Sequence, residues 1–353
     1  MLAVVFGIHL MQRQAVKESA VSEEAEGDYI KWVDFNVTVD ALDAAYQCGL
    51  DAHENGIEVD WIELLAWAAC RNGGKFGKND PARIKEQYAG IKDGETSIGE
   101  LTKELTYYSY YLEAYTAVLG GYVGEYQVRA ASEADTEPQE DAGAVEADEE
   151  EDAGTGEEEE WETRYGLKVF SPIAKGFPYS DYDDFGASRS YGYKRVHLGH
   201  DMTGQIGTPI ICVESGYVEA IGWNQYGGWR IGIRSFDKKR YYYYAHLRQN
   251  YPYAEGLEEG SIVTAGDVIG YLGHTGYSTT ENVNNIEVPH LHFGIQLIFD
   301  ESQKEGNNEI WIDCYQIVQF LRKNQSKAQK VEGTKEWKRV EEWRDPNAEN
   351  NST

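Results

Sequence analysis

Six of the eight histidines lie between His197 and His292, and the other two are His9 and His53. Imidazole is the commonest metal ligand in proteins and acts as a general acid or base near neutral pH. Random placement would rarely concentrate so many histidines in one part of a chain. The clustering therefore indicates a site that binds a metal, moves protons, or does both.

The first pattern in this region is H-L-G-H-D, from His197 to Asp201. His197 and Asp201 stand four residues apart, and Gly199 between them allows the backbone to turn tightly. We expect such a loop to direct an imidazole and a carboxylate towards one point.

Two further patterns lie on predicted strands. In Y-A-H-L, His246 follows the tyrosine-rich strand 241–244, and P-H-L-H-F contains His290 and His292. Residues two apart on a strand point to the same face of the sheet. His290 and His292 are therefore predicted to face one site together, while the apolar residues that follow each of them enter the core.

These residue types suit hydrolysis assisted by zinc. A catalytic zinc ion has three protein ligands and keeps one position for water. Two histidines and Asp201 fill three positions, and two histidines then remain for proton transfer and for stabilising a developing oxyanion. A single histidine on a strand is more often a polar core residue than a ligand, so the prediction depends on the whole set.

The order of the three patterns resembles that of the lysostaphin-like zinc endopeptidases of the LytM type, which cut peptides in bacterial cell walls. H-x-G-x-D comes first, then a histidine after a tyrosine-rich strand, then H-x-H. The resemblance covers roughly residues 170–299, a little over a third of the chain. Further matching segments are G-T-P-I (207–210), G-Y-V (216–218), V-T-A-G-D-V-I-G (263–270) and G-H-T-G-Y-S (273–278).

The resemblance implies a Zn²⁺ cofactor held by His197, Asp201 and His292, with His246 and His290 at the catalytic centre. It also implies hydrolysis of peptidoglycan peptides, with the pKa of the metal-bound water lowered to about 7. The sequence does not decide which of the two catalytic histidines performs which proton transfer. The same resemblance implies an extracytoplasmic location in a bacterial cell envelope.

Other residues of this region match no functional position of that family. His200 and His274 are interpreted as structural or rim residues. The segment Thr279 to Val288 is longer than the usual connection in the family, and we expect it to narrow the groove or to form a lid. The segment Asp181 to Arg195 is expected to border the cleft but has no counterpart that we can match.

The elements that position these residues are short strands. From Tyr165 onward, apolar runs alternate with Gly, Asn, Asp and Pro, which indicates an all-β sandwich or barrel. The predicted strands are 208–213, 216–222, 229–234, 241–246, 268–272 and 291–297. A short helix is predicted over Ile312 to Lys323, and the polar end from Asn324 onward is expected to be loose.

The region from about Tyr29 to Arg129 is predicted to be helical. Val59 to Cys70 is apolar nearly all round, as in a buried helix, and Ser97 to Gly120 has the spacing of an amphipathic helix. Trp61 to Gly74 weakly resembles the lysozyme-like helix that ends in a catalytic glutamate, but Arg71-Asn72-Gly73 offers no carboxylate. We expect this region to bind, to position, or to dock a partner protein.

The predicted fold class is multidomain, with an all-α amino-terminal domain and an all-β, antiparallel, sandwich- or barrel-like peptidase domain of the LytM type. The acidic run Glu133 to Glu160 contains no Lys or Arg and cannot bury enough apolar surface to order itself. The predicted division is an apolar segment and spacer (1–28), a helical domain (29–131), an acidic disordered linker (132–160), a zinc peptidase domain (161–325) and a polar flexible tail (326–353).

Charge and termini limit the possible partners. The chain of 353 residues has a formal net charge of −29 and no evident basic patch, so nucleic acid is not an expected partner. The first eleven residues are nearly all apolar but fall short of the roughly 20 residues that span a bilayer. We interpret them as the remnant of a signal or membrane-anchor helix, with a buried amino-terminal helix as the alternative.

Two other functions compete with active hydrolysis. A catalytically silent LytM-type scaffold or activator of other cell-wall enzymes would have lost metal ligands, whereas all five polar positions are present here. A polysaccharide-binding module would use the many aromatic residues and would leave the histidines unexplained. The complete set therefore favours an active zinc endopeptidase.

Overall fold

The computed structural model describes residues 31–129, 161–190, 194–304 and 306–350. The predicted anchor and spacer at 1–28 and the predicted acidic linker at 132–160 lie outside these residues and remain predictions. Within the described ranges, no helix is both long enough and apolar enough to cross a membrane.

The amino-terminal part of the chain is mainly helical, as predicted. The helices are α1 (Val39–Asn55), α2 (Trp61–Asn72), α3 (Asp80–Lys92), α4 (Ile98–Thr102) and α5 (Tyr108–Leu119), and near the carboxy terminus α6 (Tyr315–Leu321) and α7 (Pro346–Asn350). The Thr38 side chain caps α1, and Asp60 forms a capping box with Glu63 at the start of α2. Both helices end at a glycine in the left-handed conformation, which is a common helix end.

The single amphipathic helix predicted over 97–120 is instead divided into α4 and α5. The Thr102 hydroxyl donates to Ile98 O at 2.7 Å, and Leu105 N and Tyr108 N bond to carbonyls three residues earlier. A threonine hydroxyl bonded to the carbonyl four residues back competes with continuation of the helix. The apolar spacing persists because apolar side chains of both helices pack against the same core.

The carboxy-terminal part is mostly antiparallel β-structure, which confirms the predicted fold class. The strands are β1 (Lys31–Val33), β2 (Val123–Arg129), β3 (Trp161–Leu167), β4 (Tyr179–Ser180), β5 (Ser188–Ser190), β6 (Lys194–Val196), β7 (His200–Gly204), β8 (Pro209–Ile211), β9 (Gly216–Asn224), β10 (Gly228–Ser235), β11 (Arg240–Ala245), β12 (Ile262–Val263), β13 (Val268–Tyr271), β14 (His290–Leu297), β15 (Ile310–Ile312), β16 (Ala328–Lys330), β17 (Trp337–Arg339) and β18 (Trp343–Arg344). The main sheet has the order β1-β15-β14-β11-β10-β9-β12, and β7 joins it beside β14. Strands β9, β10, β11 and β14 form its antiparallel centre.

The helical part and the sheet share one hydrophobic core. A continuous cluster of buried side chains includes residues from α1 and α2 and from β11 and β14. Trp61 of α2 stacks on Phe320 of α6 with ring centroids 6.2 Å apart, and Tyr46 of α1 meets the same ring edge-on. A buried ion pair lies at the same junction, where Arg240 donates to Glu214 at 2.8 and 2.9 Å and to a carbonyl oxygen of α5 at 3.0 Å.

Strand β2 belongs to the region predicted to be wholly helical. It contains Val123, Tyr126 and Val128, residue types that favour strands. It pairs with β3 along its whole length, and the last pair, Arg129 with Trp161, lies at the two ends of the acidic run. The two ends of the predicted linker are therefore neighbours in space.

The prediction of a loose tail was wrong for residues 326–350. This segment contains β16, β17, β18 and α7. Trp343 is 7% exposed and packs against Phe170, while Lys168 and Asp345 form a buried ion pair at 2.9 Å. The average polarity of the segment predicted disorder, whereas a few aromatic and paired charged side chains are sufficient to order it.

Candidate metal site and catalytic cleft

Strands β7 and β14 bring the first and third histidine motifs together. In their antiparallel register, Asp201 lies opposite His292 and Thr203 lies opposite His290. Side chains directly opposite each other on neighbouring strands are about 5 Å apart at Cβ and share a face. The pairing therefore places the carboxylate of Asp201 beside both histidines of H-x-H.

Three side-chain atoms converge to form a triangle. His197 Nε2 lies 3.0 Å from Asp201 Oδ1 and 3.0 Å from His292 Nδ1, and the latter two atoms are 2.9 Å apart. His197 is buried, whereas Asp201 and His292 are half-buried. These are the three residues that the sequence resemblance implied as zinc ligands.

The triangle fits the donor set of a catalytic zinc ion. Two imidazole nitrogens and one carboxylate oxygen bind zinc at about 2.0–2.2 Å in a tetrahedral arrangement, in which ligands lie roughly 3.3–3.5 Å from one another. The observed triangle is only slightly tighter than that spacing. All three residues also line one open cleft, so water or a substrate can approach the same point.

The carboxylate of the triangle suits a divalent cation. Burial alone would lower the pKa of His197, but hydrogen bonds to Asp184 and Asp201 raise it to about 9. Burial opposes ionisation of Asp201, yet hydrogen bonds from His197 and His292 hold its pKa well below the usual range. Burial lowers the pKa of His292. The carboxylate that stays ionised supplies the negative charge that a cation requires. A zinc ion would have to displace the proton from His197 Nε2, because only a neutral imidazole nitrogen binds a metal.

Two supporting residues were not identified from the sequence. Asp184 accepts from His197 Nδ1, at 3.2 Å to its carbonyl oxygen and 3.3 Å to Oδ2. Arg189 of β5 contacts Asp184 and donates to Asp201 Oδ2 at 3.1 Å. A hydrogen bond to the outer nitrogen of a metal-ligating histidine fixes its tautomer and orientation. Asp184 therefore directs His197 Nε2 towards the triangle, and Arg189 leaves Asp201 Oδ1 available there.

These residues belong to the segment Asp181 to Arg195 that matched nothing in the family pattern. Their spacing along the chain carries no signal, because the loop before β5 approaches His197 only in the folded protein. Acidic residues occur close to histidines in many sequences, so their presence does not identify the hydrogen-bond partner of a ligand histidine.

Asp184→Asn is expected to weaken zinc binding by about 10- to 100-fold, as losses of carboxylate partners of ligand histidines usually do. The substitution keeps the shape of the side chain and the backbone carbonyl that faces His197. Competition against a chromophoric chelator measures the affinity. Asp183→Asn, at the neighbouring exposed carboxylate, is the matched control. An affinity that is equal in both variants would show that Asp184 only fills space.

Gly199 is required for a different reason from the tight turn that we expected. Its φ is not in the left-handed region, but a Cβ at this position would lie 2.5 Å from His292 Cε1 and 2.8 Å from Phe293 O. Non-bonded carbon atoms do not approach so closely. The glycine therefore allows the His197–Asp201 loop to lie directly against the ring of His292.

Gly199→Ala is expected to lower zinc affinity and hydrolysis by about 10- to 100-fold, since overpacking of this size costs roughly 1–3 kcal/mol. The added methyl group must displace His292 from the triangle or move β14. Zinc titration together with thermal unfolding separates loss of the site from loss of the fold. Gly90→Ala in α3 is a suitable control because its nearest new contact is 3.8 Å away. Normal zinc binding by the Gly199 variant would contradict this account.

His246 lies directly after β11, beside the triangle. Its backbone has φ 62°, which is uncommon for a residue other than glycine. Nδ1 donates to Thr275 O at 2.9 Å, so Nε2 of the neutral ring carries no proton. Burial, with the neighbouring His290 and His292, lowers the pKa of His246 well below its ordinary value. His246 is therefore neutral at neutral pH, with Nε2 as a hydrogen-bond acceptor.

His290 completes the group of histidines. Its Nδ1 donates to Val288 O at 2.8 Å, and its Nε2 lies 3.7 Å from Asp201 Oδ1. The ring centroids of His290 and His246 are 4.8 Å apart. The geometry thus places both histidines beside the triangle and close to each other.

These five residues line one cleft of about 290 Å³. Further residues of its wall are Arg189, Arg195, Tyr226, Tyr243, Tyr277 and Ile286. The cleft therefore combines the candidate metal ligands with aromatic surface and two guanidinium groups.

The segment Thr279 to Val288 contributes Ile286 to the cleft. Asn282 Oδ1 accepts from Trp229 Nε1 at 2.9 Å, and His274 Nδ1 donates to Ile286 O at 2.8 Å. Because both its middle and its end are bonded to neighbouring elements, the segment forms part of the groove wall. These contacts favour the narrowed groove over the lid among the two predicted roles.

His200 points away from the cleft. It alternates with Asp201 on β7, so its side chain lies on the opposite face. Its Nε2 bonds to Asp181 Oδ2 at 2.9 Å, and its ring lies edge-on to Tyr315. This buried position matches the structural role expected from the sequence.

Comparison with known proteins adds to this geometry. Residues 195–306, which include all five site residues, match the model of Peptidase family M23. The L-Ala–D-Glu endopeptidase of Bacillus subtilis (strain 168) is 40% identical over 124 residues, covering 35% of this chain and 36% of that protein. Lysostaphin of Staphylococcus staphylolyticus is 37% identical over 99 residues, covering 28% of this chain and 18% of that protein. The chain thus spans about a third or less of the length of these relatives.

The crystal structure of a LytM protein from Ruminococcus gnavus is 22% identical, with 90% of this chain and 96% of that chain covered at a TM-score of 0.49.

Proposed function

Because residues 195–306 of this chain form a peptidase M23 domain, we propose that the protein is a zinc-dependent endopeptidase that hydrolyses peptide bonds in bacterial peptidoglycan. The observation that carries the proposal is the triangle of donor atoms from His197, Asp201 and His292, about 3 Å on each side. The endopeptidase names of the similar proteins support the class of reaction.

The residues of the triangle would hold the metal, with Asp184 and Arg189 orienting two of them. Bound zinc supplies a water of lowered pKa and polarises the carbonyl of the peptide. The cleft supplies the remaining groups, since His246 and His290 both border the triangle without belonging to it.

Nε2 of His246 is suited to take and return a proton. Because Nδ1 donates to a backbone carbonyl, the tautomer and the ring orientation are fixed. His290 has the same arrangement, with its Nδ1 bonded to Val288 O. One of the two imidazoles would accept the proton of the attacking water at Nε2 and pass it to the leaving amine. The other would have to be protonated at both nitrogens to donate from Nε2 to the oxyanion.

The proposal places the protein outside the cytoplasm, in the bacterial cell envelope, where peptidoglycan is found. Membrane anchoring through residues 1–28 and a protein partner for the helical part remain predictions from the sequence.

Digestion of purified peptidoglycan by the full chain tests the proposal. We expect zinc-loaded protein to release peptide fragments with new amino termini, identified by mass spectrometry, and a chelator to stop the reaction until zinc is returned.

Three outcomes separate the candidate functions. Hydrolysis that depends on zinc supports the endopeptidase. A protein that binds zinc, leaves peptidoglycan intact and stimulates another cell-wall hydrolase is the silent activator. A protein that binds no zinc at neutral pH excludes the proposed chemistry.

A further inference from the structure

Two arginines stand opposite each other in the wall of the candidate site. In the β5–β6 hairpin, Arg189 and Arg195 are direct cross-strand partners. Like charges in this position repel each other and destabilise a strand pair. Both guanidinium groups nevertheless line the same cleft. Such an arrangement is stable only if anionic or aromatic groups compensate both charges.

Each arginine has a contact in the cleft wall. Arg189 is held by two carboxylates, those of Asp184 and Asp201. Arg195 lies over the ring of Tyr277, with its Cζ 4.8 Å from the ring centroid. When a guanidinium stacks on an aromatic ring, its N–H groups point outward in the guanidinium plane, parallel to the ring. Two of these groups can then bind one carboxylate through two parallel hydrogen bonds.

Tyr277 also connects Arg195 to the catalytic histidines. The ring centroid of Tyr277 lies 5.8 Å from that of His246. One aromatic ring therefore separates the guanidinium from a candidate proton acceptor. The two distances together place the guanidinium no more than about 11 Å from the ring centre of His246. An extended peptide advances about 3.3–3.6 Å per residue, so a group bound at Arg195 belongs to a residue within about three positions of the bond being cut.

We infer that Arg195 is a specificity-determining residue that binds a free carboxylate of the substrate peptide, near the scissile bond. This inference rests on the proposed function and selects acidic peptides within it. A peptide without that carboxylate, such as an oligoglycine, lacks the partner that the guanidinium binds.

Two peptides that differ in one group test the inference. Both contain an L-Ala–D-Glu bond, and the glutamate carboxylate is free in one and amidated in the other. We expect wild-type protein to have a kcat/KM about 10- to 100-fold higher for the free carboxylate, the range typical of hydrogen bonds to a charged group. Arg195→Gln should remove that preference by lowering only the value for the free carboxylate.

Arg248→Gln is the matched control. Arg248 is also stacked on tyrosine rings, 5.1 Å from the centroid of Tyr251 and 5.0 Å from that of Tyr271, but it does not line the cleft. We expect this variant to keep the wild-type preference. Arg195→Lys, which keeps the charge and loses the fork, should give an intermediate preference.

Binding measurements keep this inference separate from the proposed function. If neither peptide is cleaved, calorimetric affinities of zinc-loaded wild-type protein and Arg195→Gln for both peptides still report on Arg195. Equal affinities or equal kcat/KM values of the wild type for the two peptides overturn the inference. Equal losses for both peptides in Arg195→Gln overturn it as well.

Discussion

His292→Ala is expected to remove both zinc binding and peptide hydrolysis. His292 Nδ1 is one corner of the triangle, so the variant keeps only His197 and Asp201 of the three candidate ligands. Structural zinc sites bind with about 10–16 kcal/mol in total, so losing one ligand of three should cost several kcal/mol, on the order of a thousandfold in affinity. Zinc content after gel filtration and kcat/KM on peptidoglycan peptides measure the two effects.

The fold should survive this substitution. Asp201 keeps His197 and Arg189 as hydrogen-bond partners, and His292 is only half-buried. His53→Ala is the control, because His53 lies in α1 and stacks on Tyr165, away from the cleft. A His292 variant that unfolds at the wild-type temperature and still retains stoichiometric zinc would refute the ligand assignment.

His246→Asn should separate catalysis from metal binding. Removal of a positioned general acid or base typically lowers kcat by about 10²- to 10⁴-fold. Zinc affinity should change little, because the ring of His246 lies beside the triangle and contributes no corner to it. Asparagine is preferred to alanine here because the backbone φ of 62° is in the left-handed region, which asparagine tolerates.

Single-turnover hydrolysis by zinc-saturated protein is the decisive measurement for this variant. Activity equal to that of the wild type would mean that His246 carries no proton in the reaction. Loss of zinc together with activity would instead make His246 a ligand. The expected pattern, inactive protein with bound zinc, occurs only if His246 acts beside the metal.

The alternation of side chains along a strand made part of the site predictable. His290 and His292 share a face because residues two apart on any strand do so, whatever the rest of the fold. The buried position of His200 follows from the same rule. The meeting of Asp201 with His292 is different, since it depends on the register of β7 and β14, and it was predicted from the family resemblance and not from spacing.

The supporting residues could not be predicted in this way. Asp184, Arg189 and Arg195 lie before the first motif, and the fold brings them to the cleft through a loop and a hairpin whose spacing is unremarkable. The reason for Gly199 was likewise hidden, because it depends on the ring of a residue far along the chain. Contacts between distant segments are not encoded in local patterns.

The average composition of the last residues led to the wrong prediction of a loose tail. Residues 326–350 are polar overall, yet Trp343 and the ion pair of Lys168 with Asp345 order them. The break between α4 and α5 could not be predicted either. The apolar residues keep their helical spacing across the break, where one threonine hydroxyl stabilises a turn.

The pairing of β2 with β3 changes the meaning of the acidic run. Arg129 and Trp161 are cross-strand partners, so the acidic run begins and ends at the same place in the fold. Its length therefore does not determine the distance between the helical part and the sheet. For a flexible connection between two fixed ends, doubling the length costs only about 0.6 kcal/mol of closure entropy. Shortening or lengthening the run should therefore leave the helical part seated on the sheet, and a protease that nicks it should yield two fragments that remain associated.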